Sequence, residues 1–132
     1  MIAAQQQYDA FQESWRPTQE KVDKAIRLAI EIARPSRIFL FGSWPSGKAS
    51  IDSDLDIAVF LPDSSSQTAG ETEEKLLEAL DEIPLSIDLV MATESTVSDF
   101  RDSINSIFSL ILREGKLVYE QSNRGQSANA AA

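Results

Sequence analysis

The chain contains neither cysteine nor histidine, and its 12 basic residues are outnumbered by 21 acidic ones. Without cysteine it can build neither a disulfide framework nor a thiolate zinc site. Without histidine, imidazole zinc centres and Ser-His-Asp triads are excluded as well. The formal net charge of −9 argues against a sequence-independent grip on a phosphate backbone, which needs clustered Lys and Arg. No direct nucleic-acid binding is therefore expected, and a polyphosphate ligand should arrive with a metal. Long apolar runs are missing too, since none approaches the roughly 18 residues of a membrane span. The opening MIAAQQQYDAFQESW lacks the basic and apolar regions of a secretory leader. These absences predict a cytoplasmic chain with no membrane partner, whose available chemistry is that of carboxylates.

What is present suits one globular domain, with 42% hydrophobic residues in 132 to supply a core. The domain is expected over residues 1–120. Residues 121–132, QSNRGQSANAAA, are small, polar and aperiodic, and are expected to form a disordered tail. YDAFQESW predicts a short helix in which Tyr8, Phe11 and Trp15 make a packing face. In TQEKVDKAIRLAIEIA, the apolar positions Val22, Ala25, Ile26, Ala29, Ile30 and Ala33 recur at helical spacing, with Pro35 as the stop. RIFLF and LDIAVFL read as buried strands forming a hairpin-like pair, and LSIDLVMA reads as a third strand. ETEEKLLEAL predicts a helix with acids in its first turn. ESTVSDFRDSINSIFSLILREG predicts one long helix through Phe100, Ile104, Ile107, Phe108 and Ile111, ending at Gly115. KLVYE adds a short strand. The class is α+β, a small mixed sheet with helices packed mainly on one face.

Within this pattern, SDLDIAVF places Asp54 and Asp56 two residues apart, so in a strand they share a side while Leu55 and Ile57 face the other. Two carboxylates held that close are costly unless a cation neutralises them. An oxygen-only donor set favours magnesium or manganese. Asp88 interrupts another apolar strand, where a carboxylate without a partner is disfavoured. Three acids on neighbouring strands would suit a two-metal site. The turn before them supplies a complement. Gly42 lets the backbone turn sharply, Ser43 offers a hydroxyl and an amide to phosphate oxygens, and Gly47 keeps the loop uncrowded.

Two other motifs overlap these residues and fail on chemistry. GSWPSGKA approaches a P-loop, but Ala49 stands where the magnesium-binding hydroxyl belongs. DSDLDIAVFLPD begins like an EF-hand loop, but Ile57 replaces the turn glycine and Asp63 the bidentate Glu.

The order Gly42-Ser43, a ten-residue gap, Asp54-x-Asp56 between two strands, and Asp88 in a third resembles a minimal nucleotidyltransferase of the DNA polymerase β superfamily. The resemblance spans about Arg37 to Glu120, and REGKLVYE is similar to the family's closing segment. It implies a polymerase β palm-like fold and a metal-dependent transferase that moves a nucleoside monophosphate, AMP from ATP, onto a hydroxyl acceptor. By resemblance, Gly42 and Ser43 bind the triphosphate, with Gly47 and Lys48 in the same nucleotide-binding loop. Asp54 and Asp56 would serve both of two Mg2+ ions, and Asp88 the one that activates the attacking hydroxyl. The resemblance further implies a HEPN-domain toxin as partner, a tyrosine of that toxin as acceptor, and an antitoxin role. The chain departs from the family in having Trp44 and Ser46 where arginines often follow the Gly-Ser pair, which leaves Lys48 as the nearest substitute cation. A different class of function is a binding module with a weakened nucleotide site that neutralises its partner by contact.

Overall fold

The computed structural model describes residues 17–42, 54–64 and 68–122. The expected helix carrying Tyr8, Phe11 and Trp15 lies outside them, as do Ser43, Trp44, Ser46, Gly47, Lys48 and residues 123–132.

Helix α1 (Gln19–Ala33) starts where the Thr18 side chain accepts from the Lys21 amide at 3.2 Å, satisfying a donor that the first turn leaves without a helical partner. It buries Val22, Ala25, Ala29 and Ala33. It stops at Arg34, whose left-handed φ of 47° closes the last turn through its amide on the Ile30 carbonyl, and Pro35 prevents continuation. Strand β1 (Arg37–Phe41) pairs antiparallel with β2 (Leu55–Leu61), setting Phe41 opposite Asp56 and Arg37 opposite Phe60. Helix α2 (Ala69–Leu80), opened by a reciprocal cap between Thr68 and Glu71, carries the chain across to β3 (Ile87–Thr93), parallel to β2. Helix α3 (Glu94–Phe100) follows directly. Helix α4 (Ile107–Glu114) then leads into β4 (Lys116–Glu120), antiparallel to β1, giving the order β3-β2-β1-β4.

Strand β2 is therefore central, and both its faces are covered. Leu55, Ile57, Val59 and Leu61 pack with α1 and α2, while Ala58 and Phe60 pack with Phe39, Phe41, Val97 of α3 and Ile111 of α4. A strand buried on both sides reads as a continuous apolar run, which is the character of LDIAVFL. The two longer helices share one face, as the expected one-sided layering requires, and the two shorter ones close part of the other.

The single final helix expected from Phe100 to Ile111 is instead two. The Ser103 and Ser106 amides turn the chain by donating hydrogen bonds to the Phe100 and Ser103 carbonyls, and the Ser106 hydroxyl caps α4 by accepting from the Phe108 and Ser109 amides. Serine caps a new helix more readily than it continues an old one. Ile104, counted into the apolar stripe, is left 83% exposed in that turn. Pairing also runs past Glu120, because the Gln121 amide donates to the Ser36 carbonyl at 2.8 Å. No helix among the described residues is long and apolar enough to cross a membrane.

Candidate active site

The three acids are assembled by strand register. Asp56 is the second residue of β2 and Asp88 the second of β3, and the parallel ladder sets them opposite each other, with Asp54 one step before β2. Residues paired across a ladder share a face, so Asp56 and Asp88 continue the row made by Ala58 with Val90 and Phe60 with Ala92. They sit where that row runs out of apolar cover. Asp88 lies on an edge strand and is exposed, although apolar residues flank it in the sequence. Its carboxylate meets water as well as its neighbours.

Their proximity is visible in their proton affinities. Partial burial, the charge of Asp88, a hydrogen bond with Asp88 and the charge of Asp54 push the Asp56 carboxyl up from 3.8 to about 6. Asp54 is also raised, by what burial it has, then by the Asp88 charge and a hydrogen bond with Asp88, against a Ser86 hydrogen bond that lowers it. Like charges this close favour protonation.

Gly42 completes the mouth of the site. It ends β1 with a φ of 80°, and a Cβ added there would fall on Oδ2 of Asp56. The backbone thus turns directly against the carboxylate, which only glycine allows. Ser43, Gly47 and Lys48 follow outside the described residues.

Among the described residues, no three acidic side chains already surround one point as a preformed cation cage. Asp54 and Asp56 instead both lie within reach of the Asp88 charge. The donor set nevertheless fits a hard divalent cation. All three are oxygen ligands, and their raised proton affinity is the repulsion that a bound cation would relieve.

Sequence reasoning did not anticipate the second acidic feature. Glu94, at the start of α3, accepts from Arg37 through Nε at 3.0 Å and Nη2 at 2.8 Å, and from the Ser36 hydroxyl at 2.6 Å. Burial raises its carboxyl, but the Arg37 and Ser36 hydrogen bonds and the guanidinium charge outweigh that and hold it below the ordinary range. The Arg37 guanidinium also lies 5.4 Å from the ring centroids of both Phe39 and Phe60. Glu94 is thus committed to a latch between β1 and α3. The only advance signal was a lone arginine opening an apolar strand.

A family model described as Polymerase beta, Nucleotidyltransferase matches residues 23–124. No curated protein matches the chain at a significant level of sequence similarity. Among solved structures, the chain is similar to one in a toxin–antitoxin crystal with AMP-PNP, at 24% identity over 83% of this chain and 79% of that one, with a TM-score of 0.48. It is also similar to a chain in the complex of a tri-AMPylated Shewanella oneidensis HEPN toxin with its MNT antitoxin, at 25% identity, 82% and 76% coverage and a TM-score of 0.45. A third is a putative nucleotidyltransferase from Sulfolobus solfataricus, at 16% identity, 80% and 91% coverage and a TM-score of 0.42.

Proposed function

The chain belongs to the polymerase beta nucleotidyltransferase family, and from that membership and its acidic triad we propose that it transfers AMP from ATP to a hydroxyl of a partner protein. The observation that carries this reading is the register of β2 against β3, which brings Asp56 and Asp88 opposite each other with Asp54 alongside, beneath the Gly42 turn. In the reaction, the acceptor oxygen attacks the α-phosphorus in line, a new oxygen–phosphorus bond forms, and pyrophosphate leaves. Magnesium held by Asp54, Asp56 and Asp88 would supply charge to offset the triphosphate and acidify the attacking hydroxyl. Asp56, which holds a proton up to about pH 6 when no cation is present, must release it to act as a ligand. Asp88, exposed at the sheet edge, is open to the acceptor side and can take up the hydroxyl proton. Gly42 gives the triphosphate close access to the backbone, and Ser43, Gly47 and Lys48 extend that contact.

The acceptor belongs to a second chain in this reading, a tyrosine of a HEPN-domain toxin, and the transfer neutralises the toxin. Support comes from Phe100, Ile104, Ile107 and Leu110, large apolar side chains left exposed on α3, its turn and α4, the helices that cover the sheet face bearing the acids. An exposed apolar cluster of this kind suits a protein contact. The test incubates the chain with magnesium and labelled ATP, with and without the co-expressed HEPN protein. Label on a partner tyrosine, lost when Asp54 and Asp56 are replaced by Asn, is the expected result. A stable complex with no label transferred would instead identify a binding module, the reading that Trp44 and Ser46 favour by standing where triphosphate-binding arginines are common.

A further inference from the structure

Strand β4 forms one edge of the sheet, and among the described residues nothing pairs with its outer side. A register shift opposite Ile38 and Phe39 leaves Val118 off the ladder, and both Val118 and Tyr119 pack on the α1 face of the sheet. A groove runs between this strand and α1. Its first stretch, a cavity of about 640 Å3, is lined by Gln19, Asp23, Ile26, Arg27, Lys116 and Val118 among others. The second, of about 450 Å3, is lined by Ile30, Arg34 and Tyr119 among others. Positions 19, 23, 26, 30 and 34 make one helical stripe, so the groove follows α1 from end to end, about 22 Å at about 1.5 Å per residue. Its apolar floor of Ile26, Ile30, Val118 and Tyr119 is only partly buried. The side chains of Arg27, Arg34 and Lys116, which also line it, take part in no hydrogen bond or ion pair among the described residues. Folded chains ordinarily cover a bare edge strand of this kind with a helix or a loop.

We infer that this groove seats residues 4–15 of the same chain, folded as a helix that runs back along α1. The connection favours it. Pro17 comes just before Thr18, the cap of α1, and Gln19 is the first residue of the groove's lining, so the segment is delivered to the groove's mouth. The residue before a proline is pushed out of helical backbone, which makes Arg16 a natural place for the chain to reverse between two antiparallel helices. The sequence also fits the space. Ala4, Tyr8, Phe11 and Trp15 recur at spacings of four, three and four, a narrow apolar stripe about 17 Å long as a helix and so shorter than the groove. Antiparallel to α1, Trp15 meets the mouth, Phe11 meets Ile26 and Tyr8 meets Ile30. Aromatic faces suit cations that have no acid partner, as the rings of Phe39 and Phe60 already lie beneath Arg37. A tether this short gives an effective concentration on the order of millimolar, so the chain's own segment outcompetes a second copy or a free partner. The aromatic stripe is then spent inside the chain, leaving the exposed Phe100, Ile104, Ile107 and Leu110 as the apolar surface for a second protein.

The test uses the full chain carrying Trp44→Phe, which leaves Trp15 as its single tryptophan, and reads acrylamide quenching of that residue, with circular dichroism and Tm as fold controls. In the folded chain Trp15 is expected to be several-fold less quenchable than in guanidinium, and equally shielded on dilution. Val118→Glu and Arg27→Glu, on the two walls of the groove, should restore much of the quenching. Leu77→Glu, exposed on α2 and outside the groove's lining, should not. Phe11→Ala acts from the segment's side and is expected to expose Trp15 and lower Tm, a change that a segment free in solution would not feel. A Trp15 as quenchable in the folded chain as in the unfolded one overturns the inference. So does shielding that survives Val118→Glu and Phe11→Ala, which would seat the segment elsewhere, and shielding that fades on dilution, which would seat it on a second copy. If Val118→Glu unfolds the chain, Arg27→Glu and Phe11→Ala decide the matter alone.

Discussion

At the scale of single residues, the proposed site sets proton and cation in competition for the same oxygens. Asp56 makes the contest measurable. Its carboxyl is raised to about 6 in the folded chain, from an ordinary 3.8, by burial and by the neighbouring acids, so the folded state holds that proton more tightly than the unfolded state does. Its contribution to stability is complete below about pH 4 and is lost as pH rises through about 6. Asp54 acts in the same direction. Glu94 acts in the opposite one, because its lowered carboxyl gives stability above its ordinary range and loses it as pH falls. The metal-free Tm is therefore expected to rise on acidification from pH 7 to 5 and to fall again below about 4, as a thermal melt series would read. Asp56→Asn should flatten the arm between pH 5 and 7. A parent Tm that does not change over that range would remove Asp56 from its crowded setting. Gly42 is the other residue under constraint. Gly42→Ala is expected to destabilise by about 1–3 kcal/mol, the usual cost of a left-handed non-glycine residue, and to displace Asp56. The combined Gly42→Ala, Asp56→Ala variant should lose less stability than the two single changes summed, because the added methyl then has no carboxylate to strike. Simple additivity in chemical denaturation would mean that the turn and the acid do not touch.

Among the elements, the strands carried the most legible information and the chain's last third the least. RIFLF, LDIAVFL and LSIDLVMA announce β1, β2 and β3 because each is apolar and bounded by turn residues, and the two-residue period of a strand fixes Asp54 with Asp56 on one side. Register is another matter. That Asp88 falls opposite Asp56 depends on the parallel crossover through α2, a long-range pairing that no local window contains. The break between α3 and α4 was hidden for a different reason. Phe100, Ile104 and Ile107 keep helical spacing, but Ser106 finds better hydrogen bonds as a cap than inside a helix, so tertiary structure overrode periodicity. The Arg37–Glu94 latch was likewise invisible, because its two partners lie 57 residues apart. It also limits which acids belong to the chemistry. Arg37 stands opposite Phe60 and Asp56 opposite Phe41, four rungs apart along β1, or about 13 Å. Glu94→Gln is therefore expected to destabilise the fold by about 1 kcal/mol, for a partly exposed ion pair, read as a lowered Tm, and to leave transfer at saturating magnesium unchanged. A loss of transfer comparable to that expected when Asp54 and Asp56 are replaced by Asn would place Glu94 in the site.

For the whole molecule, the decisive quantity is charge. A chain of net charge −9 repels a triphosphate before any contact forms, and its three clustered acids repel it most at the proposed site. An apolar core on both faces of β2 allows the fold to tolerate that local repulsion, since burial of aliphatic and aromatic side chains, not the acids, holds the sheet together. The acids stand at the entry of β2, beside a core that runs the length of the strand. Asp54→Asn with Asp56→Asn should consequently remain folded, with a metal-free Tm at pH 7 equal to or above that of the parent, because like charges are removed from the site. Nucleotide binding should depend on the cation to the same degree that the acids oppose it. A fluorescent ATP analogue is expected to bind the parent chain in magnesium at least about 10-fold more tightly than in EDTA, within the usual range of coupling between two ligands. In the double Asn variant the difference should shrink from the other side, with weaker binding in magnesium and less repulsion in its absence. If the parent binds the analogue equally well in EDTA, the triphosphate is held away from these carboxylates, and the acids at the mouth of β2 serve something other than nucleotide transfer.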